Sequence, residues 1–411
     1  MKLNTNEKNW VLYDVGNSAF TMMVSTLIPI YLNQLASHSA SDYLATWSFA
    51  VSIATLISAI LGLVLGGLAD HKDGKKPIFV GVVTIGAIFC GMLGFATSWQ
   101  MYLAAFMVAK ILYSISLVLY DSMLTDITDE TRMDRVSAAG YAFGYIGSCI
   151  PFAAALLLYL FYRQIGISLS LAMKIAFCIV AFWWLFLTLP LFKTYKQKHY
   201  ASMGTSPVQE AFKRLFATFK KIRQQKHIFL FLLAFFFYID GVYTIIDEAT
   251  AYGTALHISA AGLLIALLVT QFVAAPFSLL FGRLADKYPT AKLIRLCIIA
   301  YLCITIYAIF LQNLVQFFVL AITVGMFQGG VQSLSRSYFA RMIPSEMSGE
   351  YFGFYDICGK GATVIGTFVV GTISKMTNSI NLGVGAVAFI FLIGILLFNK
   401  ADREVQKKAT L

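Results

Sequence analysis

The sequence is poor in charge. Only 12% of its 411 residues are Asp, Glu, Lys or Arg, against about a quarter in an ordinary soluble domain. It is 59% hydrophobic and 15% aromatic, with a mean hydropathy of +0.76. Apolar surface on that scale needs lipid as its solvent, which excludes a soluble globular protein. Cysteine is scarce too. Cys90, Cys149, Cys178, Cys297, Cys303 and Cys358 all lie in apolar segments with no CxxC pair. They read as small packing residues, so neither a disulfide framework nor a thiolate metal site is expected. The histidines, His38, His71, His199, His227 and His257, are scattered without metal-ligand spacing. There is no GxxxxGK[ST] loop, which argues against ATP as an energy source, and no cofactor is expected. No HExxH pair, Ser/His set or GxxxD-like aspartates on facing helices argue for an intramembrane enzyme. The N-terminus lacks a small-residue cleavage site, so its apolar run reads as a span and not as a signal peptide.

What the sequence does have is long apolar runs. A bilayer core takes about 20 apolar residues per helix. On that measure the chain has about twelve spans, at 10–36, 43–69, 77–97, 99–125, 136–161, 167–192, 227–256, 259–285, 291–311, 313–341, 349–375 and 379–400. The fold class is therefore all-α integral membrane. Charge orients it. With both termini inside, 26 of the 31 Lys and Arg residues fall in cytoplasmic segments and only Arg163 and Lys375 fall outside; Lys110, Lys174 and Lys360 lie within spans. The positive-inside rule fixes that orientation. It also accounts for the net charge of +11 without nucleic acid. A multi-pass protein of the cell membrane is expected, and a monomer. The longest polar stretch, 193–226, divides the chain into an N-terminal six-helix bundle at 1–192 and a C-terminal one at 227–400, with a cytoplasmic tail at 401–411. The basic run from Lys213 to Lys226 reads as a solvated linker near anionic lipid.

The two bundles echo each other. "GGLADHKDGKK" begins at Gly66 and "GRLADKYPTAK" at Gly282, placing Asp70 and Asp286 216 residues apart. "VSAAGYAFGYIG" from Val136 loosely matches "YFGFYDICGKG" from Tyr351. "YDVGNSAF", containing Asp14, has a partner in "YIDGVYTI", containing Asp240, in a slipped register. Three ordered echoes argue for a duplicated six-helix unit around a central cavity.

At the paired G-x-L-A-D loops the chain resembles the major facilitator superfamily. Members have twelve spans, a loop motif after span two and a weaker copy after span eight. Three stretches further resemble the autophagy-related vacuole effluxer-like family: "YDVGNSAF", "DRVSAAGYAFGYIG" and "QSLSRSYFARMIPSEMSGEYFGFYDICGKGA". The resemblance implies alternating access between two pseudo-symmetric halves. It also implies that spans one, four, seven and ten line the cavity.

Two groups of residues are candidates for function. At the cytoplasmic face, Asp70 closes span two, where its own helix dipole disfavours a negative charge. It needs a helix N-terminus or a cation from elsewhere. In the superfamily arrangement the donor is the start of span eleven, near Ser348 and Gly349. Arg341 would add a charge-assisted bond, and Gly66 would let the backbones approach. The motif recurs at Asp286 with Arg283. Lys75 and Lys76 read as topology anchors. Within the spans, ionisable residues are costly and face a cavity or a partner. At 1.5 Å per residue, Asp240 lies roughly 20 Å deep and Lys110 roughly 16 Å. Polar residues recur at helical spacing: Asp14, Asn17 and Thr21 on span one; Asp240, Tyr243, Thr244 and Asp247 on span seven; Gln328, Gln332 and Ser335 on span ten. Lys110 and Asp121 share a face of span four. The alternative for such stripes is interhelical hydrogen-bonding. Lys110 suits an anionic group of a solute or pairs with Asp14 or Asp240. Lys360 pairs with Asp356 or Asp240, or meets solute.

The function expected is secondary transport of a small solute, coupled to protons through Asp14 and Asp240, with amino-acid-like solutes implied by the family resemblance. A lipid or lysolipid flippase of the same fold is the alternative. A non-transporting membrane sensor or scaffold is the alternative of another class.

Overall fold

The computed structural model describes residues 2–36, 40–201, 217–256 and 258–409. His38, His257 and the 202–216 part of the basic linker lie outside the described residues. Thirteen long helices organise the rest. They are α1 (Thr5–Val24), α2 (Leu27–Ala36), α3 (Ala40–Ala69), α4 (Lys75–Met92), α5 (Trp99–Ser122), α6 (Met133–Ile165), α7 (Leu169–Thr194), α8 (Lys226–Ala255), α9 (Ala260–Leu284), α10 (Thr290–Ala308), α11 (Leu314–Met342), α12 (Ser348–Thr377) and α13 (Ile380–Ala409). Among the described residues eleven helices are long and apolar enough to cross a membrane, and α1 with α2 forms a twelfth, broken span. Helices satisfy every interior backbone group within the segment, the condition a lipid solvent imposes.

The break in the first span has a local cause. Pro29 has no N–H to give to Ser25 and its ring crowds that carbonyl. The helix stops at Val24, restarts at Leu27 and turns by 42°. Hydroxyls close the gap: Ser25 Oγ donates to the Thr21 carbonyl at 3.2 Å and Thr26 Oγ1 to that of Met22 at 2.5 Å. The apolar run at 10–36 reads as one continuous helix in the sequence; the structure divides it.

The chain forms two compact units. One comprises residues 1–128, 143–212 and 345–353, and the other 129–142, 213–344 and 354–411. Each takes in a short segment from the opposite half of the sequence. In the first unit α1 begins with a reciprocal cap between Asn4 and Glu7, which satisfies two of its unpaired N–H groups. Glu7 is fully buried and accepts from Thr128 Oγ1 at 2.8 Å. Trp10 stacks on Tyr120 of α5 at 4.2 Å between ring centroids, and Phe20 on Trp184 of α7 at 5.6 Å. In the second unit Phe235 of α8 stacks on Tyr355 of α12 at 4.0 Å, which in turn lies 5.0 Å from Phe339 of α11. Outer faces carry apolar side chains such as Phe49, Leu56, Phe182 and Phe389, each more than 60% exposed. That inversion marks surfaces wetted by lipid.

Candidate functional site

The most densely bonded polar cluster of the first unit surrounds Asp70, just beyond the end of α3. The first turn of α12 supplies what its own helix cannot. Gly349 N–H donates to Oδ1 and Glu350 N–H to Oδ2, both at 2.8 Å, so a carboxylate sits on a helix N-terminus. The approach needs glycine on both sides. A Cβ on Gly66 would lie 2.4 Å from the Gly349 carbonyl oxygen, and one on Gly349 2.3 Å from that of Gly66.

Lys75, expected as a topology anchor, is instead fully buried at this site. Its ammonium lies 3.6 Å from Asp70 Oδ1 and 3.8 Å from Asp126 Oδ2, and donates to Ser348 Oγ at 2.8 Å. The side chain is held where its charge is matched, which is why it does not reach for lipid headgroups. Asp126, in the turn after α5, collects donors of its own. Tyr195 Oη donates at 2.5 Å, Lys198 N–H at 3.1 Å and His199 N–H at 2.9 Å. Gln197 donates to the Ala69 carbonyl at 3.1 Å and accepts from Lys75 N–H at 3.2 Å, and Ala201 N–H donates to the Asp70 carbonyl at 2.7 Å. The first residues of the linker are thus a strap fastened to the Asp70 loop. Burial pushes the Asp70 carboxyl up to about 6, with Lys75 and the two helix N–H groups opposing it. Burial, reinforced by Asp126, pushes the Tyr195 phenol far above its usual range.

The second unit has a related but differently bonded cluster. Asp286 pairs with Arg135, at the start of α6, whereas Arg283 of its own motif is exposed. Arg341, expected beside Asp70, donates through Nη2 to Asp134 Oδ1 at 3.0 Å and to Thr290 Oγ1 at 2.8 Å. The cation beside Asp70 is therefore Lys75. Asp134 also accepts from Ser337. Arg336, 2% exposed, donates to Ser137 Oγ at 2.9 Å and its carbonyl at 3.0 Å, and covers the Tyr141 ring.

Within the membrane part of the first unit, Asp14 is 7% exposed. Tyr120 Oη donates to its Oδ2 at 3.0 Å, and Asn17, also buried, approaches Oδ1 at 3.5 Å. Tyr13 and Ser116 share a hydrogen bond of 2.5 Å across α1 and α5. Thr21 is exposed and bonds Tyr113 Oη at 2.6 Å. Lys110 and Asp121 are half-buried on α5.

In the second unit Asp240 of α8 has no exposed surface. Its Oδ1 accepts from Gly366 N–H of α12 at 3.0 Å and from Thr244 Oγ1 at 3.4 Å, while Oδ2 is buried without a hydrogen-bond partner among the described residues. Tyr243 is half-buried, Asp247 exposed, and Gln328 and Gln332 are buried on α11. Lys360 pairs with Asp356 one turn back on α12, settling one of the pairings left open by the sequence. Tyr238 and Ser335 share a 2.7 Å bond, the counterpart of Tyr13 with Ser116. That match fixes the register of the repeat. Asp14 follows its tyrosine by one residue and Asp240 by two, a rotation of about 100° on the helix. The two carboxylates are thus not equivalent: one turns to Tyr120 of α5, the other to Gly366 of α12.

The residues of these clusters missed by sequence reasoning are Asp126, the strap at 195–201, Asp134 and Ser137. Asp126 and Asp134 stand at span ends, where a solvated loop carboxylate is the ordinary reading.

Paired six-span halves with an Asp loop after span two and its copy after span eight define a membrane transporter of the major facilitator type. Solved structures share the fold: the human organic anion transporter MFSD10 superposes with a TM-score of 0.72 at 14% identity, covering 96% of this chain and 98% of that one. FucP, a major facilitator transporter in the outward conformation, gives 0.71 at 13% identity, covering 97% of each. The chain belongs to the family described as vacuole effluxer Atg22 like, whose profile matches residues 41–410. It is similar to the uncharacterized MFS-type transporter YxiO of Bacillus subtilis, 40% identical over 98% of this chain and 96% of that protein. It is also similar to autophagy-related protein 22 of Kluyveromyces lactis, 23% identical over 98% of this chain and 94% of that protein.

Proposed function

We propose that this chain is a secondary transporter of the cell membrane that moves an amino-acid-like solute by alternating access coupled to protons. The observation that carries the reading is the pair of N–H bonds from Gly349 and Glu350 to Asp70. They tie the first turn of α12, from the second half of the sequence, to a loop of the first half. A contact of a few hydrogen bonds between glycine-rich helix ends is one that a transport cycle makes and breaks. Proton coupling is supported by Asp14 and Asp240, two buried intramembrane carboxylates, since such groups mark proton relays. The amino-acid-like class rests on the family resemblance, and Lys110 suits the solute's carboxylate. The distribution of Lys and Arg supports both termini in the cytoplasm.

The test is uptake into proteoliposomes under an imposed pH gradient, with a panel of amino acids, sugars and lysolipids. An amino acid is expected to enter on acidifying the outer face, and Asp240→Asn to abolish the dependence on the gradient. Movement of lysolipid alone would replace this reading with a flippase. A variant indistinguishable from wild type would remove Asp240 from the coupling.

A further inference from the structure

We propose that Glu248 is a further proton-binding residue of this transporter, the outer station of a path along α8 that passes Thr244 and ends at Asp240. The inference rests on the proton-coupled reading above and goes beyond it by naming the route.

Three observations carry it. First, Asp240, Thr244 and Glu248 stand at i, i+4 and i+8, so neighbouring members of the row lie one turn apart on one side of the helix. Thr244 is 1% exposed and already bonded to Asp240 Oδ1. Its hydroxyl both donates and accepts, as a relay requires.

Second, the Asp240 end is built to hold a carboxyl in two forms. Its Oδ1 is fixed by Gly366 N–H and Thr244, whereas Oδ2 is fully buried and has no hydrogen-bond partner among the described residues. A negative oxygen without a donor in such a place is uncompensated, and a proton arriving there removes the cost. The space depends on glycine: a Cβ on Gly366 would lie 1.9 Å from Thr244 Oγ1 and 2.9 Å from Asp240 Oδ1.

Third, Glu248 is half-buried and makes no hydrogen bond or ion pair among the described residues. It lines a small cavity with Thr244 and Tyr252, of about 10 Å³. That is the room of roughly one water molecule, which would carry the proton between the carboxyl and the hydroxyl. The facing wall is apolar: Ile304 from α10, Leu320 from α11, Val370 from α12 and Val384 from α13. Among the described residues the titratable neighbours are on α8 itself: Tyr243, Asp247 and Tyr252, the last donating its hydroxyl to the Ala308 carbonyl at 2.6 Å. Among the described residues no cation lines the cavity to neutralise Glu248, so a proton is the ligand its chemistry takes.

The experiment is infrared difference spectroscopy of the full chain in proteoliposomes after a pH jump, read in the carboxyl C=O region between about pH 4 and about pH 9, where buried carboxyls titrate. Wild type is expected to show separate bands for the two acids. Asp240→Asn should remove one and Glu248→Gln the other. Glu248→Gln and Thr244→Val should also slow protonation of Asp240 by about tenfold or more, and Glu248→Asp should restore part of the rate. If the Asp240 band forms at the wild-type rate in Glu248→Gln and no band is lost, the path through Glu248 is wrong while proton coupling at Asp240 stands. If wild type shows no Asp240 band at all, the coupled reading itself falls. A variant that does not elute as a single species from size-exclusion is replaced by Glu248→Asp, whose band must shift from the wild-type position for the inference to hold.

Discussion

Adding one methyl group at Gly66 should undo the contact between Asp70 and α12. The new Cβ would stand 2.4 Å from the Gly349 carbonyl oxygen and 2.9 Å from its carbon. Both are backbone atoms, so neither yields by a side-chain rotation. Reaching an ordinary van der Waals separation moves the helix ends apart by about 1 Å. The bonds from Gly349 and Glu350 N–H to Asp70, now 2.8 Å, would then lengthen beyond the range of a hydrogen bond. Each such bond to a charged acceptor contributes about 1.5–3 kcal/mol. Partial re-solvation of Asp70 leaves a net loss of about 3 kcal/mol, a factor of about 100 in the population of the joined state. Amide hydrogen exchange of the segment 345–353 reads this directly: Gly66→Ala should lower protection of the Gly349 and Glu350 amides by about 100-fold. Gly81→Ala is the matched control, since a Cβ there meets nothing within 4 Å. Unchanged protection in Gly66→Ala, or equal loss in Gly81→Ala, would refute the steric account of the contact.

Further outcomes follow from the same loop. The Asp70 carboxyl stands at about 6 against a reference of 3.8, so the folded protein binds its proton more tightly than the unfolded chain. That contribution to stability is complete below 3.8 and is lost as pH rises through about 6; the thermal midpoint in detergent should therefore fall from pH 5 to pH 8, a dependence that Asp70→Asn reduces. Lys75→Met leaves Asp70 and Asp126 buried around a neutral side chain, and should cost about 3–5 kcal/mol, seen as a lower thermal midpoint in detergent; an unchanged midpoint would mean that the ammonium is not the counter-charge. Asp126→Asn weakens the bonds that Tyr195, Lys198 and His199 of the strap make to this carboxylate, and should expose the backbone near Lys198 to limited proteolysis with little change in the rest of the digestion pattern.

The twelve spans were legible because lipid imposes one simple rule, a run of about 20 apolar residues per helix. The repeat was legible because loops that need glycine and aspartate keep them. Partner choice was not. Lys75 looks like an anchor because most cytoplasmic lysines are anchors, and only the fold reveals that two buried aspartates surround it. Arg341 stands near the right end of its span, but Asp134 and Thr290 take its donors. The transmembrane carboxylates show the same limit at finer scale. Asp14 and Asp240 look like copies in sequence, yet the Tyr13–Ser116 and Tyr238–Ser335 bonds show that one residue separates their registers. A step of one residue leaves the helix packing intact and turns the carboxyl to a different neighbour. Asp14 therefore meets a phenol that donates to it, and Asp240 meets a glycine that leaves one oxygen bare. The duplicated scaffold thus holds one carboxyl in a hydrogen bond from a phenol and leaves the other with an oxygen that has no hydrogen-bond partner among the described residues, so a step of one residue is enough to give the two copies different chemistry.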